Sequence, residues 1–214
     1  MNMESTRMQR QGSATRLGLA MIMAISICAC SKSTQWKEEA LLHDGSKLVV
    51  GRAQNRATNQ DSDKASSVVE QFISFTLPGT DKIVTWKSEH VGEPATSGLI
   101  VLALDILDGV PYLATSPIDC YKYNQWKRPN PPYVFFKFDG AAWKRIPLEQ
   151  FPAAIQKANL VINTQAFERH LTTALGAVPV EDIGRMNADK NYQSSYLQTI
   201  DRKPMKGGIA DCSY

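Results

Sequence analysis

Between Tyr121 and Tyr133 the chain interleaves rings and cations, Tyr121-Lys-Tyr-Asn-Gln-Trp-Lys-Arg-Pro-Asn-Pro-Pro-Tyr133. Exposed tyrosine and tryptophan faces stack on sugars or bases, and lysine and arginine pair with anionic groups. The prolines between Pro129 and Pro132 would hold such a loop extended at little entropic cost. Tyr121, Tyr123, Trp126, Lys127 and Arg128 are therefore candidate binding residues for a glycan or small ligand. The competing expectation is that Tyr121 and Tyr123 pack into a β-rich core, where large aromatics usually go.

Catalytic chemistry has fewer candidates. The chain has three histidines, His43, His90 and His170, none within metal-ligand spacing of another. His43 sits beside Asp44-Gly45 and reads as a solvated turn residue. His170 lies in the polar stripe Glu168-Arg169-His170. His90 follows Ser88-Glu89 at a strand end, where Asp105 or Asp119 would be its carboxylate partner in a hydrolase. No Gly-x-Ser-x-Gly elbow, Ser-x-x-Lys set with partners or glycine-rich phosphate loop is present, and no cofactor is implied.

Four cysteines remain to be placed, and the first two, Cys28 and Cys30, end an apolar run. Arg7, Arg10 and Arg16 precede Leu17-Gly-Leu-Ala-Met-Ile-Met-Ala-Ile-Ser-Ile27, the layout of a secretory signal. The run is too short to remain as a membrane span. Ile27-Cys28-Ala29-Cys30 resembles the lipobox of bacterial lipoproteins: an aliphatic residue, a tolerant position, a small residue, then the lipidated cysteine. The resemblance covers residues 1–35. It implies cleavage after Ala29 and acylation of Cys30. It also implies a cell-envelope location with the membrane as partner. Ser31 after the cysteine implies the outer membrane in a Gram-negative cell. Residues 1–29 would be the signal peptide, 30–35 a tether and 36–214 a single domain.

Such processing removes three arginines and one glutamate, so the formal charge falls from +3 to +1. A nearly neutral chain calls for no nucleic-acid partner. Cys28 leaves with the signal and Cys30 is blocked. In an oxidising compartment Cys120 and Cys212 are then expected to form a disulfide, the alternative being two free thiols.

Positioning these residues falls to strands. Asp44-Gly45, Asp108-Gly109 and Asp139-Gly140 each separate apolar or alternating runs, the pattern of tight hairpin turns. Residues 36–50 read as the first hairpin, and Ala53 to Ser67 as a solvated loop. Glu70–Leu77 and Lys82–Lys87 flank Pro78-Gly-Thr-Asp81 as a second hairpin. Leu99–Leu107 is apolar on both faces and suits a central strand. Tyr133–Phe138 and Ala142–Ile146 form a further hairpin. After Pro147 the pattern weakens: a short helix over Leu148–Asn159, a strand at Leu160–Ile162, a helix from Thr164 to Leu175 with Phe167, Leu171 and Leu175 on one face, and a short helix near Ser194–Ile200. The expected fold is mainly β, a sandwich or partly closed barrel of seven or eight strands, with a small helical C-terminal portion. The anchor that the resemblance implies, the β-rich core and the lack of a catalytic set point to an anchored binding module for a protein or another envelope component. The aromatic-basic loop and the His90 hydrolase stand as alternatives.

Overall fold

The three Asp-Gly pairs turn the chain where their chemistry demands. Asp44 accepts hydrogen bonds from the Ser46 N–H and hydroxyl at 2.9 and 2.7 Å, and Asp139 accepts from the Ala141 and Ala142 N–H groups. Asp108 and Gly109 both adopt positive φ, 50° and 74°, the backbone that matches strand twist in a two-residue turn. The computed structural model describes residues 31–57, 68–89, 98–189, 195–206 and 212.

Around these turns the strands form two sheets. The first contains β1 (Ser31–Leu41), β2 (Lys47–Ala57), β3 (Val68–Thr76), β4 (Ile83–Lys87) and the two-residue β9 (Ala177–Val178), in the order β4-β3-β2-β1-β9. The second contains β5 (Leu99–Leu107), β6 (Val110–Pro117), β7 (Val134–Phe138) and β8 (Trp143–Ile146), in sequence order. All neighbours are antiparallel except β1 and β9. The fold is mostly β and sandwich-like, not a closed barrel.

Alternation along each strand fills the space between the sheets. Val50, Ile73, Phe75, Val84 and Trp86 of the first meet Val101, Leu104, Leu113, Val134 and Phe136 of the second. Trp86 and Phe136 touch edge to face, their centroids 5.5 Å apart. A register shift between Val101 and Ala103 puts Leu102 and Ala103 together in a second core, on the outer face of the second sheet. The C-terminal segments supply the other side of that core through Phe151, Ile155, Ile162, Leu197 and Ile200. Leu99–Leu107 is thus apolar on both faces, as expected, but it is an edge strand rather than a central one. Its edge is covered by the Asn159 and Leu160 N–H groups, which both donate to Leu102 O.

The first sheet's inner face becomes polar away from this core. Thr34, Glu38, Arg52, Gln54, Arg56 and Gln71 are all buried. Arg52 Nη1 lies 2.5 Å from Glu38 Oε1, and the guanidinium sits 5.2 Å from the Trp36 ring centre. Glu38 also accepts from Trp36 Nε1 at 3.1 Å and from the Val161 N–H at 3.3 Å. Gln54 links Arg56, Gln71 and Thr164 in a hydrogen-bonded chain.

Several sequence expectations change. Ser31–Gln35 are not a tether but the start of β1, paired with β2 from its first residue. Ala53–Ala57 extend β2 rather than entering a loop. Of residues 148–159 only the single 3₁₀ turn Leu148–Gln150 is helical, and Leu160–Ile162 pack as buried irregular chain. The helix expected from Thr164 is shorter, α2 (Glu168–Thr173); Thr164 caps nothing and instead donates to Gln54. Leu171 faces inward, but Leu175 lies beyond the helix end and is fully exposed. Two further helices follow, α3 (Val180–Ala188) and α4 (Ser195–Gln198).

Candidate functional site

The cleft with the most defined chemistry lies where the β1–β2 turn wraps the free edge of the second sheet. Leu41 ends β1, and Asn159 ties it across: Asn159 Nδ2 donates to Leu41 O at 2.9 Å and Leu104 O at 2.8 Å, while its Oδ1 accepts from the Leu104 N–H at 3.0 Å. This clamp brings residue 43 beside β5. His43 Nδ1 stands 2.8 Å from Asp105 Oδ1, and the His43 N–H donates to Asp105 Oδ2 at 2.9 Å. Asp105 Oδ1 also accepts from the Ile106 N–H at 2.7 Å. Asp105 is 3% exposed, so its carboxylate is satisfied from within the protein.

The pair borders a cleft of about 300 Å³ lined by Leu41, Leu42, Ala154, Ile155, Ala158, Val180, Ile183 and Gly184, with His43, Asp105, Gln156, Lys157 and Asn159 as its polar members. One small apolar space with a few fixed polar groups is the usual form of a small-ligand site. His43 is held above its usual pKa, first by the hydrogen bond to Asp105 and then by the charges of Asp105, Asp44 and Asp108; partial desolvation opposes them. Because Nδ1 serves Asp105, Nε2 is the ring's working atom, and it takes no hydrogen bond among the described residues.

A stability consequence follows for His43. A raised folded-state pKa means that the His43–Asp105 contribution is complete below the unfolded value near 6.5. It is lost as pH rises through the folded value. Urea midpoints of the natural chain and His43→Gln are expected to converge as pH is raised from about 6 to 9. A constant difference would contradict the pairing.

The sequence reads His43 as a solvated turn residue; the structure makes it half of a pair with a buried acid 62 residues away. His90, the histidine expected to meet Asp105 or Asp119, lies outside the described residues, as does Cys30. Asp105 is taken by His43. Asp119 caps a helix, accepting from the Lys122 N–H at 2.7 Å.

That helix is α1 (Cys120–Gln125), and it dissolves the aromatic platform expected at 121–133. Tyr123 is 1% and Trp126 3% exposed, so neither ring face is open to a sugar; Tyr121 is 53% exposed, with Lys122 Nζ 5.8 Å from its ring centre. Trp126 belongs to the core between the sheets. Lys122 packs its stem on Gly98, where a Cβ would collide with Lys122 Cγ. Lys127 and Arg128 are exposed, at positive φ of 64° and 49°. Arg128 lies 5.7 Å from the Tyr123 ring centre, and Arg145 rather than a residue of this segment lies 5.4 Å from that of Trp126. Tyr133 is buried and its hydroxyl donates to Thr199 O at 3.0 Å.

Cys120, the first residue of α1, is bonded to Cys212, with the Cα atoms 4.8 Å apart. Among the described residues no three His, Cys, Asp or Glu side chains stand close enough to hold a metal ion, and no helix is long and apolar enough to cross a membrane. No protein-family model, curated protein or solved structure matches the chain.

Proposed function

We propose that this chain is a lipid-anchored protein of the cell envelope that holds a small apolar or amphiphilic envelope component in the cleft beside His43. The anchor rests on Ile27-Cys28-Ala29-Cys30 at the end of the apolar run. The observation that carries the binding function is the cleft itself, an apolar space of about 300 Å³ with one fixed imidazole at its wall. Its lining contains no serine, threonine or cysteine. A His–Asp pair with no hydroxyl or thiol among the lining residues favours binding over Ser- or Cys-type covalent catalysis.

Two measurements test this. Cells making the natural chain and fed labelled fatty acid are expected to yield a labelled, membrane-bound protein, whereas Cys30→Ser loses the label and the cleavage. Continued processing and membrane attachment of Cys30→Ser would refute the anchor. Native mass spectrometry of protein taken from membranes is expected to show a bound small molecule that is absent from a variant with the cleft filled.

A further inference from the structure

The residues around His43 define its ligand more narrowly. With Nδ1 engaged by Asp105, the ring is fixed in place, and its Nε2 has no partner among the described residues. As an imidazolium it presents one N–H donor. The groups around it come from every packed element. Asp105 on β5 accepts three internal hydrogen bonds, two of them from His43 itself. Asp44, in the same turn, is engaged by Ser46. Glu181 on α3 faces Lys47 at 3.6 Å. Asp108, on the β5–β6 turn, favours the proton on His43, and Lys157 adds a second cation to the lining. The acids are thus largely spent internally, while the cations border the open space.

The rest of the cleft is hydrocarbon. Leu42 and Ile155 are buried walls, and Leu41 is 43% exposed at the rim. A volume at the lower end of ligand pockets suits one chain, not a two-chain lipid or an oligosaccharide. Gly184 supplies an independent sign. It sits inside α3, where glycine weakens a helix, and a Cβ there would meet nothing within 4 Å. The lining therefore has room at this position for a larger side chain.

We infer that the cleft binds a long-chain carboxylate, with its chain along Leu42, Ile155 and Ile183 and its head accepting a hydrogen bond from His43 Nε2. This rests on the cleft being the ligand site of the proposed function. No bond is made or broken; the association is charge-assisted hydrogen bonding plus apolar burial.

The test uses the full chain in membranes of the cells that make it. A diazirine-bearing fatty acid and its amine-headed counterpart are photocrosslinked, and adducts are mapped by peptide mass spectrometry. The carboxylate is expected to label residues 154–159 and 180–184 in preference to the amine. His43→Gln should lower that labelling about tenfold, the loss of one charge-assisted hydrogen bond. Raising pH through the titration of His43 should lower it too. Gly184→Trp, at a position open enough to accept it, should abolish labelling while circular dichroism stays unchanged. Equal labelling by carboxylate and amine would overturn the head-group assignment and leave the cleft standing. Absence of cleft labelling by either probe, or its persistence in Gly184→Trp, would overturn both.

Discussion

Replacing Cys212 by Ser is expected to lower the unfolding free energy by about 4–5 kcal/mol, the chain-entropy value for a loop of this size. The bond closes a separation of 92 residues, from the first residue of α1 to the C-terminal tail. That loop contains β7, β8, α2, β9, α3 and α4, so freeing it affects every segment that covers the outer face of the second sheet. Cys212 is fully buried. Urea denaturation with and without reductant measures the effect on the natural chain, and Cys212→Ser should match the reduced protein. A loss below about 1 kcal/mol would mean that core packing holds the tail without the bond.

Glu38→Ala is expected to cost about 3–5 kcal/mol, because it leaves the buried Arg52 guanidinium without its counter-charge. Arg52 Nε already lacks an acceptor among the described residues, so Glu38 is the group's main compensation. The same substitution removes the acceptor for Trp36 Nε1 and the Val161 N–H. The double variant Glu38→Leu with Arg52→Met should recover much of the loss, since an apolar pair of similar volume needs no desolvated charges. Recovery in the double variant separates a stranded charge from a simple packing defect. If the single variant costs less than about 1 kcal/mol, the pair is not sealed from water as its burial indicates.

What was legible in the sequence was local. An Asp-Gly pair needs only its own backbone and its neighbours' N–H groups, so the turns at Asp44, Asp108 and Asp139 are written in adjacent residues. The alternation Ile73, Phe75 and Val84, Trp86 likewise announces which face is buried. The Cys120–Cys212 pairing is the exception among long-range contacts, reached by counting thiols rather than from pattern. The His43–Asp105 pair had no such route. Its partners lie 62 residues apart, and each sits in a local setting that explains it otherwise, a polar turn and an apolar strand. The aromatic segment misled because Asp119 at its start caps a helix, and helical spacing carries Tyr123 and Trp126 to the inside together. α3 had a usable signal that a weak overall pattern hid. Pro179 precedes it, Glu181 and Asp182 occupy its first turn, and Ile183, Met186 and Asn187 face inward at spacings of three and four.

If Cys30 carries lipid as proposed, a β1 that begins at Ser31 would set the height of the domain above the membrane. The lipidated residue would then directly precede, in sequence, a strand paired along its length with β2. The domain would stand on the bilayer as a post rather than drift on a leash. Following β1 from Ser31 to the turn beyond Leu41 covers about 35 Å at the rise of an extended strand. With β1 standing upright on the bilayer, the His43 cleft would open at the end away from the lipid surface, beyond the reach of a molecule still seated in that leaflet. A ligand arriving there would have already left the bilayer, so the protein would meet its cargo in the aqueous space.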